Sequence, residues 1–317
     1  MVVTPLVSIV IPTYNRAEIV GEAIDSILAQ TFSECEIIVV DDGSVDHTAD
    51  VVRAYGERIR YSRQNNRGVS AARNEGIGLA KAEWIAFLDS DDQWYPEYLE
   101  AQIKCIEDHP QVIAQIANVV SIQPDGRKVN HFQGTGLVRE LAGRASVVIE
   151  RPFSTVVRYA PWFVQCAVMK RRDLIACGLF DPALSIAEDF DLFARMSLRG
   201  SFGVQTQPLV KIFRHDESYD HLSRQVLTDA IGTLETYAKI ISQLRRVESL
   251  NAKERRTLAV LMSSNRRALG KILMRKGDKS QAKAMFYESF KIAPHWYSAV
   301  RYLTAFLPLK IAKHLNW

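Results

Sequence analysis

The chain has 317 residues, of which 47% are hydrophobic and 24% are charged, so it can build a full core and is no disordered or fibrous protein. Its formal net charge of +4 conceals an asymmetry. Residues 222–317 hold 18 Lys and Arg against 6 Asp and Glu, whereas residues 1–221 carry a net charge of −8. An acidic front and a basic rear indicate two parts with different tasks.

Several features indicate a cytoplasmic protein. No stretch approaches the roughly 18 uninterrupted apolar residues of a membrane-spanning helix, and the N-terminus lacks the basic and apolar regions of a secretory signal. The four cysteines lack CxxC spacing and lie in apolar surroundings, which predicts buried free thiols in a reducing compartment. They are Cys35, Cys105, Cys166 and Cys177.

Strands and helices alternate through the first hundred residues. Continuous apolar runs predict four strands, and the amphipathic stretches between them predict helices. The predicted strands span 7–11, 36–40, 59–61 and 84–88, and the predicted helices span 19–30, 46–55, 68–80 and about 97–108. This order is typical of βαβ units, so we predict an α/β fold with a Rossmann-like, mostly parallel central sheet flanked by helices.

The remainder of the chain is less regular. We predict a strand over 113–122, a helix over 171–177, a helix over 188–199 and a last strand over 209–213. Residues 127–163 give a poor signal, and we expect loops and short elements that shape an acceptor pocket. From residue 222 the pattern is helical, with one tetratricopeptide-like helix pair. The predicted domains are therefore 1–221 and an all-α extension over 222–317.

Polar groups follow three of the predicted strands at the point where each strand ends. They form the segments Thr13-Tyr14-Asn15-Arg16, Asp41-Asp42-Gly43-Ser44 and Asp89-Ser90-Asp91-Asp92. Because ligands bind at the carboxyl ends of strands in open α/β sheets, these groups suit a nucleotide. The sequence has no glycine-rich phosphate loop, so we expect a cation to hold the phosphates. Three carboxylates within four residues favour Mg²⁺ or Mn²⁺.

Five segments, taken in order, resemble one enzyme family. They read VSIVIPTYNR, IIVVDDGSVDHT, NNRGVSAARNEGI, WIAFLDSDDQWYP and FDPALSIAEDFDLFARM. Together they resemble the inverting family 2 glycosyltransferases of GT-A fold. The resemblance implies transfer of a sugar from a nucleotide donor, usually a UDP-sugar, to a saccharide or glycolipid acceptor, with Mn²⁺ or Mg²⁺ as cofactor.

The resemblance also implies roles for individual residues. The catalytic base would be Asp189, and the metal would bind Asp91, with Asp92 and His215 as further candidates. Tyr14 would lie by the base of the donor, and Asp42 would accept a hydrogen bond from that base. The whole implied donor-binding set is Pro12, Thr13, Tyr14, Arg16, Asp42, Arg73, Asp89 and Ser90.

Inverting sugar transfer requires a base and a cation for chemical reasons as well. Inversion at the anomeric carbon needs one carboxylate to take the proton of the acceptor hydroxyl, and the leaving diphosphate needs a counter-charge. Glu188 and Asp189 also begin a predicted amphipathic helix, where acidic residues are favoured for structural reasons alone. Trp94 and Trp162 could stack on a sugar or pack in the core.

Two other functions remain open at this stage. A sugar-1-phosphate nucleotidyltransferase would share the sheet and the metal, but it would need a glycine-rich loop after the first strand. A catalytically inactive nucleotide-binding protein could use its basic rear to dock a partner. We expect no nucleic acid, because the rear lacks interleaved aromatic and basic residues. The charge of residues 222–317 and the tail 307–317 favour peripheral contact with an anionic membrane surface.

Overall fold

The computed structural model describes residues 4–137, 141, 143–159, 162–214 and 228–294. The chain divides into two compact units, Met1–Asp220 and His221–Trp317. Within the described ranges, no helix is both long enough and apolar enough to cross a bilayer.

The described part of the first unit contains ten strands in one sheet. They are β1 Val7–Thr13, β2 Cys35–Asp41, β3 Arg60–Arg63, β4 Trp84–Phe87, β5 Gln93–Trp94, β6 Val112–Ile122, β7 Lys128–Asn130, β8 Ser146–Ile149, β9 Ala167–Lys170 and β10 Ser201–Phe213. The strand order is β3-β2-β1-β4-β9-β6-β10-β5, with β7 beside β6 and β8 beside β10.

Helices cover this sheet and make up the described part of the second unit. They are α1 Val20–Leu28, α2 Thr48–Arg53, α3 Val69–Leu79, α4 Tyr98–Asp108, α5 His131–Gly134, α6 Phe153–Tyr159, α7 Arg171–Ala176, α8 Glu188–Met196, α9 Ala230–Leu244, α10 Ala252–Arg275 and α11 Lys279–Ile292. The alternation of strands and helices through residue 108 agrees with the expected βαβ units.

The strands β1 to β4 form the parallel half of the sheet. β1 pairs with β2 along its whole length and with β4 over Val7 to Val10. Every residue of β1 is buried, as expected for a strand with helices on both faces. Helix α3 lies so close to β1 that a Cβ on Gly76 would come within 2.2 Å of Val10 Cγ1, so only glycine fits there.

Two features of the other half were not expected from the sequence. Strand β9 runs antiparallel between β4 and β6. It was not predicted, because the four-residue segment AVMK directly precedes α7 and is too short to show a strand pattern. Strand β10 begins eight residues before the predicted start. Pro208 and irregular pairing between Val204 and Val210 interrupt its pattern, although both halves pair with β6.

In the second unit, helices α10 and α11 pack against each other. Gly270 of α10 lies against Phe286 of α11, where a Cβ would come within 2.8 Å of the ring. The buried side chains of this small core are Leu269, Leu273, Met274, Ala282 and Phe286. Helix α10 begins with a capping box formed by Asn251 and Glu254. The tail 307–317, which the sequence linked to membranes, lies outside the described residues.

Candidate active site

The carboxyl ends of β1, β2 and β4 meet at one edge of the sheet. Thr13 and Asp41 are register partners at the ends of β1 and β2. The backbone N–H of Asp42 donates to the carbonyl of Thr13 at 2.8 Å, and that of Leu88 donates to the carbonyl of Val10 at 3.1 Å. The three polar segments therefore share this edge, as expected from the parallel pairing.

Arg73 forms the centre of the site. Its guanidinium contacts Asp89 Oδ1 at 2.8 Å, Glu188 Oε1 at 2.9 Å and Asp189 Oδ1 at 3.4 Å. The Arg73 side chain is only 2% exposed, and the three carboxylates are 10–25% exposed. Burial by itself lowers the pKa of Arg73, but the charges of Asp89, Asp189 and Glu188 outweigh burial and raise it above its ordinary value. Arg73 therefore stays charged and links the end of β4 to the start of α8.

The neighbouring residue fixes the position of Arg73. Asn74 Nδ2 donates to the carbonyl of Phe180 at 2.9 Å, and the N–H of Phe180 donates to Asn74 Oδ1 at 3.0 Å. This reciprocal pair holds the Phe180 ring 5.3 Å from the Arg73 guanidinium carbon, within cation–π range. Helix α3 thereby positions Arg73 and holds the loop that leads to α8.

Asp189 lies in the first turn of α8, two residues after a strained residue. Ala187 has φ 62° and ψ 18°, a left-handed conformation that is uncommon for residues other than glycine. Such strain persists where the surrounding structure enforces it, often at functional sites. Asp189 Oδ2 accepts a hydrogen bond from the N–H of Val164 at 3.2 Å, so protein donors contact both carboxylate oxygens.

Two carboxyl groups of the site have raised pKa values. Burial raises the pKa of Asp189 well above its usual range, the charges of Glu188 and Asp89 add to the effect, and Arg73 opposes it. Burial also raises the pKa of Asp92, with further contributions from the charges of Asp91 and Asp89. The cluster therefore holds more negative charge than Arg73 balances.

Gln165 belongs to this cluster, although no pattern in the sequence predicted it. Its Nε2 donates to Asp89 Oδ2 at 2.5 Å and to Asp92 Oδ2 at 2.8 Å. Asp92 Oδ1 accepts from the N–H of Phe213 at 3.1 Å, and Asp92 is only 3% exposed. An isolated glutamine in the short segment Val164–Cys166 carries no recognisable motif, so only the three-dimensional contacts identify it.

Asp42 lies further along the same edge and is hydrogen-bonded to the loop before α3. Its Oδ1 accepts from Gln64 Nε2 at 2.6 Å and from the N–H of Arg67 at 2.9 Å, and its Oδ2 accepts from the N–H of Gly68 at 2.8 Å. Beside Asp42, the structure has a groove lined by Gly43, Arg63, Gln64, Asn65 and Asn66. Gly43 has φ 86°, and a Cβ there would come within 3.0 Å of the backbone nitrogen of Asn66.

Asp41 has a structural role at the same turn. Its Oδ1 accepts from the N–H of Ser44 at 2.7 Å, and its Oδ2 accepts from the hydroxyl of Tyr61 at 2.6 Å. Burial and this hydrogen bond raise the pKa of Tyr61 to about 12, so Tyr61 remains a donor. Asp41 therefore closes the turn that presents Asp42.

The other predicted site residues take varied positions. Tyr14 is 42% exposed, Arg16 is half-buried, and Ser90 is buried. Both tryptophans belong to the core: Trp94 Nε1 donates to the carbonyl of Gln165, and Trp162 Nε1 donates to that of Val156. His215 lies outside the described residues. The four cysteines are free thiols, but only Cys166 is fully buried, so the expected burial of the other three is wrong.

Buried polar atoms without partners also lie at this edge. Thr13 Oγ1, Arg73 Nε and Gln165 Oε1 have no hydrogen-bond partner among the described residues. Within those residues, no group of three or more His, Cys, Asp and Glu side chains is arranged as a metal cage.

The sequence profile of the family described as "Glycosyl transferase family 2" matches residues 8–156. A protein named as an uncharacterized glycosyltransferase of Rickettsia typhi is 31% identical over 250 residues, which cover 75% of this chain and 71% of that protein. The chain belongs to glycosyltransferase family 2. The nucleotidyltransferase alternative is thereby set aside.

Other similarities agree with this family. The succinoglycan biosynthesis protein ExoO of Rhizobium meliloti is 37% identical over 195 residues, which cover 60% of this chain and 55% of that protein. Residues 1–349 of TarS from S. aureus, crystallised with UDP-GlcNAc, superpose with a TM-score of 0.67 at 16% identity, covering 98% of this chain and 92% of that one. The mannosyltransferase PcManGT of Pyrobaculum calidifontis, in complex with GDP-Man and Mn²⁺, gives a TM-score of 0.60 at 20% identity, covering 97% and 82%. The fold is therefore GT-A.

We predict that Arg73→Met lowers the free energy of unfolding by about 3–5 kcal/mol at neutral pH, because it leaves buried carboxylates without their counter-charge. Urea denaturation measures the change. The matched control is Arg172→Met, which removes an arginine that is 74% exposed and 3.4 Å from Asp173. A surface pair of this kind contributes about 0–1 kcal/mol. Equal stability of the two variants would contradict the central role of Arg73.

Proposed function

We propose that this glycosyltransferase transfers a sugar from a nucleotide-sugar donor, in the first instance a UDP-sugar, to a hydroxyl of a saccharide or glycolipid acceptor with inversion. The observation that carries the proposal is the position of Asp189. It begins α8 and is joined through Arg73 to Asp89 at the end of β4. This arrangement sets a carboxylate beside the edge of the sheet where a donor is expected.

Asp189 is proposed as the general base. Its raised pKa makes it a stronger proton acceptor than an ordinary aspartate, which suits removal of a proton from an acceptor hydroxyl. The N–H of Val164 and the guanidinium of Arg73 orient its two oxygens. When Asp189 takes up the proton, Arg73 keeps its contacts with Glu188 and Asp89, so the buried guanidinium remains paired.

The donor nucleotide is proposed to lie along β1 and β2. The exposed ring of Tyr14 offers a face for the base, directly after Pro12 and Thr13 at the end of β1. A carboxylate has about four lone-pair positions, and Asp42 uses three of them within the protein. The remaining position can accept an N–H of the base. Arg16 and Ser90 complete the proposed donor set with Arg73 and Asp89.

We propose that the carboxylates after β4 hold a divalent cation together with the phosphates of the donor, since the described residues do not form a metal cage by themselves. Asp89, Asp91 and Asp92 bring three carboxylates together, and their mutual repulsion contributes to the raised pKa of Asp92. Carboxylate oxygens suit Mg²⁺ and Mn²⁺, and such ions often combine one or two carboxylates with substrate phosphates. We propose Asp91 as the main ligand, with Asp92 and His215 as further candidates. The ion would act as a Lewis acid toward the leaving diphosphate.

The acceptor and the location are proposed from one relative and from the charge distribution of the chain. The similarity to ExoO, a succinoglycan biosynthesis protein, supports a polysaccharide acceptor. Fourteen of the 18 Lys and Arg residues of 222–317 lie within the described range 228–294. Because each basic residue near an anionic leaflet contributes about 1 kcal/mol, we propose a cytoplasmic enzyme attached peripherally to the membrane, close to its acceptor.

A donor screen with Mn²⁺ and a panel of nucleotide sugars identifies the substrate, with water as acceptor. We predict that Asp189→Asn then lowers kcat by about 10²–10⁴-fold with donor affinity unchanged, because the amide cannot accept the proton. Glu188→Gln, one residue away, is the matched control and should lower kcat less than Asp189→Asn does. Asp189 must be deprotonated to act, and its pKa is raised. As the pH is lowered, the rate of the native enzyme should therefore begin to fall at a higher pH than an ordinary aspartate would give. Native turnover by Asp189→Asn would exclude Asp189 as the base and assign that role to another residue.

Removal of the metal should abolish turnover. We predict that EDTA stops donor turnover, that Mn²⁺ or Mg²⁺ restores it, and that Asp91→Asn loses most activity while its circular dichroism stays native. The control is Asp50→Asn, which changes an aspartate that is 73% exposed on α2. Full activity of the native enzyme in chelator would refute the metal proposal.

Sedimentation with liposomes tests the membrane proposal. We predict binding that requires anionic lipid, weakens as the salt concentration rises and decreases when residues 307–317 are deleted, because the attraction is electrostatic. Liposomes of neutral lipid are the control. A native protein that stays in the supernatant with anionic liposomes at low salt would make the membrane proposal wrong.

A further inference from the structure

Gln165 contacts both flanking carboxylates of the segment 89–92. One nitrogen, Nε2, donates to Asp89 Oδ2 at 2.5 Å and to Asp92 Oδ2 at 2.8 Å. Gln165 is 5% exposed, so water contributes little to these contacts. A single amide therefore joins two carboxylates that would otherwise repel each other in a buried environment.

The chemistry of the neighbours determines the orientation of this amide. Both hydrogens of Nε2 are used by carboxylate oxygens, and the flipped amide would set Oε1 against two negatively charged acceptors. In the orientation observed, Oε1 is buried without a hydrogen-bond partner among the described residues. Leaving a buried acceptor unpaired is unfavourable, because the lost hydrogen bond to water is not replaced. The observed orientation is nevertheless favoured, because it lets Nε2 bind the carboxylates of both Asp89 and Asp92.

The backbone around Gln165 is also anchored. Its carbonyl accepts from Trp94 Nε1 at 2.9 Å, and the carbonyl of Cys166 accepts from Gln102 Nε2 at 3.1 Å. On the other side, the N–H of Val164 donates to Asp189 Oδ2 at 3.2 Å. The segment 164–166 thus contacts the proposed base and the carboxylates at the end of β4, and buried side chains hold it in place.

We propose that Gln165 is a positioning residue for the divalent cation. Asp91 lies between Asp89 and Asp92 in a tight turn, in which the N–H of Asp92 donates to the carbonyl of Asp89 at 3.1 Å. Holding the two flanking side chains fixes the turn from which Asp91 projects. This inference rests on the proposed function, in which Asp91 and the diphosphate of the donor bind the cation.

A neutral amide suits this position better than a charged donor. Lysine or arginine would satisfy the carboxylate oxygens but would also cancel the negative charge that attracts a cation. The amide of Gln165 supplies two hydrogen bonds and leaves that charge intact. Hydrogen-bonding groups that hold metal-binding side chains in place commonly affect metal affinity about 10–100-fold.

The test is calorimetric titration of Mn²⁺ into the full-length protein saturated with UDP, and in parallel with GDP. Gln165→Met keeps the size of the side chain and removes both N–H donors. We expect it to weaken Mn²⁺ binding about 10–100-fold. The matched control is Asn265→Leu, at an asparagine of α10 that is 7% exposed and whose Nδ2 donates to the carbonyl of Leu234 at 2.8 Å. This variant loses a buried hydrogen bond of a side-chain amide that does not contact the segment 89–92, so its Mn²⁺ affinity should equal that of the native protein.

Additional variants separate the outcomes. If Gln165→Met does not fold, Gln165→Asn keeps the amide but cannot reach both carboxylates, and it should weaken Mn²⁺ binding. If the native protein binds Mn²⁺, Asp91→Asn does not, and folded Gln165 variants bind as tightly as the native protein, the inference about Gln165 is wrong and the metal site stands. If the native protein with UDP or GDP takes up no Mn²⁺, the proposed metal site and this inference both fail.

Discussion

The ion pairs of Arg73 are the interaction on which the rest of the site depends. A charge that is 98% withdrawn from solvent is costly unless oppositely charged groups surround it, and here three carboxylates do so. Two of them begin α8 and the third ends β4, so one guanidinium joins elements that lie about 100 residues apart in the sequence. Neither the strand end nor the helix start could keep its carboxylates buried without this shared cation.

The negative charge of the cluster exceeds the positive charge available within it, and this imbalance has consequences for function. Asp89, Asp92, Glu188 and Asp189 are buried or largely buried, and the pKa values of Asp92 and Asp189 are raised as a result. A raised pKa suits a general base, and accumulated carboxylate charge suits a divalent cation. The same excess of negative charge therefore supports both the proposed general base and the proposed cation site, and Arg73 lies between them.

Anchored neighbouring residues hold these charged groups in place. Asn74 and Phe180 form a reciprocal pair, and Arg195 donates to the carbonyls of Cys177 at 2.5 Å and Leu179 at 2.7 Å, so the start of the loop before α8 is anchored. Ala187 completes the approach in a left-handed conformation. A site that holds like charges close together needs such anchoring, because repulsion would otherwise separate them.

The sequence by itself determined the βαβ order through residue 108, the edge of the sheet that carries the site and the family, because apolar runs and strand-end motifs are local patterns. The excess of Lys and Arg in residues 222–317 and the helical pattern around Gly270 can also be read from the sequence. Only the tertiary structure decided how β9 inserts antiparallel between β4 and β6, and that Gln165 joins Asp89 to Asp92. Strand β9 is too short to give a pattern, and a lone glutamine acquires meaning only from partners more than 70 residues away. Hydrogen bonds and ion pairs between distant residues are made by packing, and their partners leave no periodic signal along the chain.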